Sequence, residues 1–141
     1  MKAYIAGPLF NEGERYWNEE INRRVAAAGF KTFVPQRDGT ALKSKEDVEI
    51  IFKEDIANIA NSDIVVANLN GIAVDSGTAW ELGHASAKGI YTIGLFTDWR
   101  LHFEYQTVNL MMMCSLDELL TSIDDLGPCL EAYQLHRATR K

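Results

Sequence analysis

The sequence is short of basic residues, cysteines, histidines and long apolar runs. Fourteen Lys and Arg stand against 20 Asp and Glu, giving a net charge of −6 and a pI near 5.0. Nucleic acids and anionic membranes reward clustered Lys and Arg, so neither is expected as the main partner. No apolar run approaches the roughly 18 residues that a membrane span needs. The opening MKAYIAGPLF lacks the long apolar stretch of a signal peptide, so the expectation is a chain folded from its start and working in the cytoplasm. Cys114 and Cys129 are the only cysteines. Their spacing fits no metal or redox motif, and reduced thiols are expected. His84 and His102 stand alone, without ligand spacing. The phosphate-binding patterns GxGxxG and GxxxxGK(S/T) are absent, as are internal repeats and low-complexity linkers.

What is present suits one folded domain spanning residues 1–141. The chain is 47% hydrophobic and 24% charged, within the ordinary range for a globular protein of its length. Lys2 to Ala6 is a short apolar run that stops at Gly7-Pro8, as a buried strand ending in a turn would. Residues about 13 to 28 read as a helix. Trp17, Ile21 and Val25 recur at spacing four, Arg23 and Arg24 fall outside that stripe, and Gly29 suits the position after the helix. Lys31 to Val34 is a second strand, ended by Pro35, and the polar PQRDGTALKS reads as a loop. Residues about 45 to 61 form a second helix with Val48, Phe52, Ile56 and Ile59 on one face. Asp63 to Leu69 is the clearest strand, and its IVVA run implies burial on both faces, as in a parallel sheet. A third helix ends near Lys88-Gly89. Tyr91 to Phe96 is a fourth strand. Residues 97 to 108 are irregular, and their Trp99, Phe103 and Tyr105 suit either core packing or a contact or cover role. Met111 to Cys114 is expected as a short fifth strand, with Ser115 capping a last helix. The tail after Gly127-Pro128 either extends that helix or stands apart from it. Strand–helix alternation of this kind predicts a three-layer α/β fold around a doubly wound parallel sheet.

Ligands of such sheets sit beyond the carboxyl ends of the strands. That edge holds the AGPLF turn, the loop around PQRD and the segment NGIAVDSGTAWE. The Gly-Pro turn serves either as structure or as a close backbone approach to a ligand. Asp75 reads as a helix cap or as one member of an acid pair. Glu81 is unusual because its neighbours one turn away are Gly77, Thr78 and Ala85, which leave room for a substrate over its carboxylate. Two carboxylates six positions apart across a helix start suit acid–base or nucleophilic work. Asp55 lies outside the apolar stripe of the second helix, where a solvated face is the default. The pair Asp124-Asp125 reads as solvated surface.

Four blocks together resemble one family: YIAGPLF, DIVVANLNG, DSGTAWELGHA and VNLMM, in that order over residues 2 to 113. The resemblance is to the nucleoside 2-deoxyribosyltransferases, and its most specific block is D-x-G-T-A-x-E-x-G. It implies a flavodoxin-like (Rossmann-like) fold with a five-stranded parallel sheet. It also implies a homo-oligomer, dimer or hexamer, in which a neighbouring subunit completes each active site. The substrates implied are a 2′-deoxyribonucleoside and a free nucleobase, with no metal and no organic cofactor. Position by position, Glu81 resembles the family nucleophile, Asp75 an acid that helps proton transfer, Asp55 a second acid in the base pocket and Tyr4 the tyrosine beside the nucleophile. Asn109 and Met111 match the block that reaches into the adjacent subunit's site. Gln36 and Phe10 match base contacts, and Gly7 lies in the first turn.

The chemistry explains these residue types. Cleaving an N-glycosidic bond builds positive charge on the sugar, which a carboxylate stabilises and then traps as an ester. The departing base needs a proton from a second acid. Two rival readings use the same fold: an N-glycosidase of 2′-deoxynucleoside 5′-monophosphates, and a non-catalytic nucleotide sensor. The glycosidase needs phosphate donors, yet the first loop reads GPLFNEGER, with Glu12 and Glu14 in place of Ser and Arg.

Overall fold

A computed structural model describes residues 1–98 and 107–139. The predicted aromatic segment residues Trp99, Phe103 and Tyr105, together with His102, lie outside the described residues, as does the end of the tail. In chain order the elements are β1 (Lys2–Ala6), α1 (Glu12–Ala27), β2 (Lys31–Phe33), α2 (Pro35–Asp38), α3 (Asp47–Ala60), β3 (Ile64–Asn68), α4 (Ser76–Ala87), β4 (Tyr91–Leu95), α5 (Leu110–Ser115), β5 (Glu118–Leu120) and α6 (Leu126–Thr139). The five strands form one sheet in the order β2-β1-β3-β4-β5, and every pairing is parallel. This is the flavodoxin-like order, with its switch point between β1 and β3.

Side-chain parity decides what faces what. Successive strand residues point to opposite faces. Ala3 and Ile5 of β1, Ile64 and Val66 of β3, and Ile93 and Leu95 of β4 join Ile21 and Val25 of α1 and Leu126 and Leu130 of α6 in one core. Tyr4, Ala6, Val65 and Ala67 point the other way, against Ile59 of α3 and Leu82 and Ala85 of α4. Every residue of β3 is buried, which is why its IVVA run does not alternate. The same parity turns Tyr4, wholly buried, toward α3 and α4 and away from α1.

Helix ends follow local chemistry. Asn11 caps α1 in a full capping box with Glu14. Gly29 and Gly89 follow α1 and α4 at φ +86 and +69, a left-handed region where a side chain would be strained. Gly7 has another reason to lack a side chain: a Cβ there would collide with Asn18 Oδ1 and stand 3.0 Å from the Asn68 Cβ.

Three expectations are corrected. Residues 111–114 are not a strand but part of α5, whose N-terminus Asn109 caps through a 2.9 Å bond to the Met111 N–H. The fifth strand is Glu118–Leu120 instead, and Ser115 closes α5 while the last helix begins at Leu126. A run of four apolar residues fits a short strand or a helical turn equally, and the cap decides between them. The polar loop after β2 opens with one helical turn, Pro35–Asp38, because proline presets the first helical φ and Asp38 Oδ2 accepts the Val34 N–H at 2.8 Å. On α3 the expected apolar face is only partly covered: Ile59 is buried, but Val48 and Phe52 are 56% and 53% exposed.

Candidate active site

The site begins with β1. Its parity aims the Tyr4 ring at the α3/α4 side, where it stacks on Phe33 with centroids 5.7 Å apart. The Tyr4 hydroxyl donates to Glu81 Oε1 at 2.7 Å. A phenol has one proton to give, so this bond fixes one carboxylate oxygen and leaves Oε2 to act elsewhere. Burial, then the Glu81 charge, holds the Tyr4 hydroxyl well above the ordinary tyrosine range, so it stays a donor.

Glu81 lies in the second turn of α4. Its pKa is pushed up to about 7, first by burial and then by the charges of Asp55 and Asp75, while the Tyr4 bond opposes the rise. Near neutral pH the ionised and protonated forms are therefore comparable. Asp55 comes from α3 and is half-buried rather than solvated. Burial raises its pKa, the Tyr4 hydroxyl opposes that, and the Glu54 charge adds to it. Two carboxyls in one partly desolvated cleft favour one proton between them.

Asp75 caps α4. Its Oδ2 accepts from the Thr78 N–H at 2.9 Å and from the Thr78 hydroxyl at 3.2 Å. The cap and the electrostatic influence on Glu81 coexist, so the two sequence readings of Asp75 do not compete. Between α3 and α4 opens a cavity of about 340 Å³, lined by Phe52, Asp55, Ile56, Ile59, Gly77, Trp80 and Glu81. Its only polar side chains, apart from the Trp80 indole, are the two carboxyls. Gly77 lines this cavity beside Glu81.

The remaining candidates divide. Asn109 and Met111 line a second cavity of about 920 Å³ with Ala79, Gly83, Ser86 and Ala87. Those α4 residues recur three and four apart and form a different helical face from Gly77, Trp80 and Glu81. Asn109 and Met111 therefore do not meet Glu81 of their own chain in this cavity. Gln36 joins a polar network on the α1 side. It accepts from Asn18 Nδ2 at 3.1 Å and donates to the Arg15 carbonyl at 2.9 Å and to Glu19 Oε1 at 3.2 Å. Asn68 donates to Asn18 Oδ1 at 3.0 Å, and Asn18 donates to the Pro8 carbonyl at 2.8 Å, so this network also pins the turn at Gly7. Phe10 stands 74% exposed on that turn. Glu14 Oε2 accepts the Phe10 and Asn11 N–H groups at 2.8 and 3.1 Å, so the turn's donors already hold a carboxylate.

Two cavity residues were not singled out as site residues, Phe52 and Trp80. Phe52 looked like core because it fits the apolar stripe of α3. Its position one turn from Asp55, like that of Trp80 beside Glu81, was the available signal. Among the described residues no group of three or more His, Cys, Asp and Glu is arranged to hold a metal ion. Among them, too, no helix is long and apolar enough to cross a membrane.

The profile of the nucleoside 2-deoxyribosyltransferase family matches residues 3–127. No curated protein matches. Among solved structures, a conserved protein from Enterococcus faecalis V583 superposes with a TM-score of 0.81 at 27% identity, over 94% of this chain and 98% of that one. A 2-deoxyribosyltransferase from Bacillus psychrosaccharolyticus gives 0.78 at 25% identity, over 90% of each chain. A CMP N-glycosidase from Clostridium botulinum gives 0.61 at 20% identity, over 94% and 99%, a likeness of fold alone.

Proposed function

The chain belongs to the nucleoside 2-deoxyribosyltransferase family, and from that premise we propose that it exchanges the base of 2′-deoxyribonucleosides through a deoxyribosyl ester on Glu81. The observation that carries this reading is the 2.7 Å bond from Tyr4 to Glu81 Oε1 at the cavity shared with Asp55. Tyr4 holds one oxygen, and Oε2 attacks C1′ of the sugar. The C1′–N bond breaks, its electron pair leaves with the base, and Asp55 supplies the proton that neutralises it. A second base then attacks C1′ and passes its N–H proton back to Asp55, the ester bond breaks, and Glu81 is regenerated as carboxylate. Two displacements retain the β configuration, and the kinetics are ping-pong.

The raised pKa of Glu81 suits a nucleophile that must lose its negative charge on esterification. A carboxylate that is poorly solvated in the free enzyme gives up less solvation in the transition state. A 2-deoxy sugar lacks the electron-withdrawing 2′-hydroxyl, so its cation forms more readily. Asn109 and Met111, on the other face of α4, act in this reading on the site of a neighbouring subunit, which makes the working unit a homo-oligomer.

The competing reading is an N-glycosidase acting on 5′-monophosphates, which the fold shared with a CMP N-glycosidase keeps in view. The first turn speaks against it. Its N–H groups hold Glu14, Arg15 donates to the Leu9 carbonyl at 2.9 Å, and Arg37 is paired with Asp38 and Glu19. An incoming phosphate would have to displace these partners.

The test supplies deoxyadenosine or thymidine with a second free base. Exchange is expected, with a deoxyribosyl adduct on the Glu81 peptide in mass spectra, and Glu81→Ala abolishes both. Base release from the monophosphate alone supports the glycosidase. Binding without turnover supports the sensor.

A further inference from the structure

Three segments at the carboxyl edge of the sheet meet on one side chain outside the catalytic cavity. Asn18, in the second turn of α1, is 3% exposed, and its amide is fully used. Its two Nδ2 protons go to the Pro8 carbonyl at 2.8 Å and to Gln36 Oε1 at 3.1 Å, and its Oδ1 accepts from Asn68 Nδ2 at 3.0 Å. These partners belong to the β1–α1 turn, to α2 and to the end of β3. Asn68 Oδ1 in turn accepts the Asn70 N–H at 3.1 Å, and the Asn70 amide bonds Thr97 at 2.7 and 2.9 Å, which carries the chain of amides to the end of β4. Backbone groups fix the direction of each amide. The Pro8 carbonyl can only accept, so Asn18 aims Nδ2 at it and at Gln36. Gln36 answers with Oε1 and aims Nε2 at the Arg15 carbonyl and Glu19 Oε1, both acceptors as well. The Asn70 N–H can only donate, so Asn68 meets it with Oδ1 and gives Nδ2 to Asn18. Gln36 is left with both protons committed and a lone pair of Oε1 as its free function.

We propose that Asn18 is a positioning residue for substrate binding that acts through Gln36. Its one buried amide registers Gln36 against the first turn and presents Oε1, an acceptor, to the substrate. The inference rests on the base-exchange reading, in which Gln36 and the turn carrying Phe10 meet the base. The chemistry that Gln36 then recognises is an N–H of the base, exocyclic amino or ring imino. Preorganisation is the physical gain: a glutamine held by three bonds loses little rotamer freedom when a ligand arrives. Tyr4, Asp55 and Glu81 lie on the α3/α4 side of the sheet and Asn18 on the α1 side, so removing its amide leaves the reacting groups in place. The effect therefore falls on binding and not on the chemical step.

The first measurement is a double-mutant cycle on the KM of the acceptor base. Asn18→Ala and Gln36→Ala should each raise it about threefold to tenfold, the equivalent of one hydrogen bond, with kcat little changed. The double variant should match Gln36→Ala alone, because Asn18 has nothing left to position. Effects that multiply in the double variant, or an unchanged KM in either single variant, overturn the proposal. The second measurement needs no change at position 18. In 15N spectra of the whole protein the Asn18 side-chain NH2 should be protected from solvent exchange, and Gln36→Ala should shift its signal and expose one proton. An Asn18 NH2 that exchanges freely, or that ignores Gln36→Ala, overturns the proposal. Binding without turnover separates this inference from the reading it rests on. In a Glu81→Ala background, Asn18→Ala should weaken deoxyadenosine binding by the same factor, with no further loss when Gln36→Ala is added. If that pattern holds while wild type exchanges no bases, the positioning role stands and the exchange reading falls. If wild type exchanges bases while binding ignores Asn18→Ala, the reading stands and the positioning role falls.

Discussion

Replacing Glu81 by Gln should make the protein more stable above neutral pH, and the size of the effect follows from the site. The pKa of Glu81 is pushed from the ordinary 4.5 to about 7, chiefly by burial. Below pH 4.5 the carboxyl is protonated in both folded and unfolded chains and nothing is lost. Between 4.5 and 7 the unfolded chain gives up this proton while the folded chain keeps it, so folding becomes less favourable as pH rises. Integrated over that window the penalty is about 3 kcal/mol, and it is fully present above pH 7. Glutamine has nearly the same shape, its amide oxygen still accepts from Tyr4, and it carries no charge to desolvate. For a chain of this length a difference of that size corresponds to roughly 10 °C in Tm. Thermal melts of wild type and Glu81→Gln from pH 4 to 8 should nearly coincide at the acid end and separate steadily, the variant melting higher. A gap that is independent of pH, or a wild type that is the more stable protein at pH 8, refutes the argument that burial raises this carboxyl.

Tyr4→Phe removes a hydrogen bond to a charged group, worth about 1.5–3 kcal/mol, and should move the acid limb of the exchange rate from near pH 7 to roughly pH 8–9; a pH–rate profile shows it, and an unmoved limb counts against Tyr4 as the tuning donor. Asp75→Ala loses the α4 cap, about 1 kcal/mol of stability, and also lowers the Glu81 limb by removing one of the charges that raises it; Asp75→Asn should keep the cap in denaturant melts while still lowering the limb. Gly7→Ala forces a Cβ against Asn18 and should cost about 1–3 kcal/mol in the same melts. Mixing Asn109→Ala with Glu81→Ala should restore part of the exchange activity through hybrid sites, and verified hetero-oligomers that stay inactive would show that Asn109 does not serve a neighbour.

Most of the fold was legible because the sheet announces itself locally. IVVA lacks alternation since both of its faces are covered, and Gly29 and Gly89 mark helix ends that need left-handed backbone. The fifth strand was misplaced for an equally local reason. LMMMC is apolar enough for either element, and what made it a helix was Asn109 seated as its cap. The α3 face was misjudged at Phe52 because periodicity says which residues share a face and not what covers it.

For the site, the order of residues along the chain offered two candidates, a glutamate among small residues and an aspartate that caps its helix, while the tyrosine on the first strand came from the family resemblance. The tertiary structure alone decided the proximity of groups 77 residues apart, Tyr4 and Glu81. It also decided the partial burial that moves the Glu81 carboxyl toward neutrality and the separation of Asn109 from that carboxyl by a turn of the helix face. Periodicity is a one-dimensional property, set by each residue's own neighbours. Desolvation and through-space charge depend on which helices pack side by side, and no local pattern encodes that.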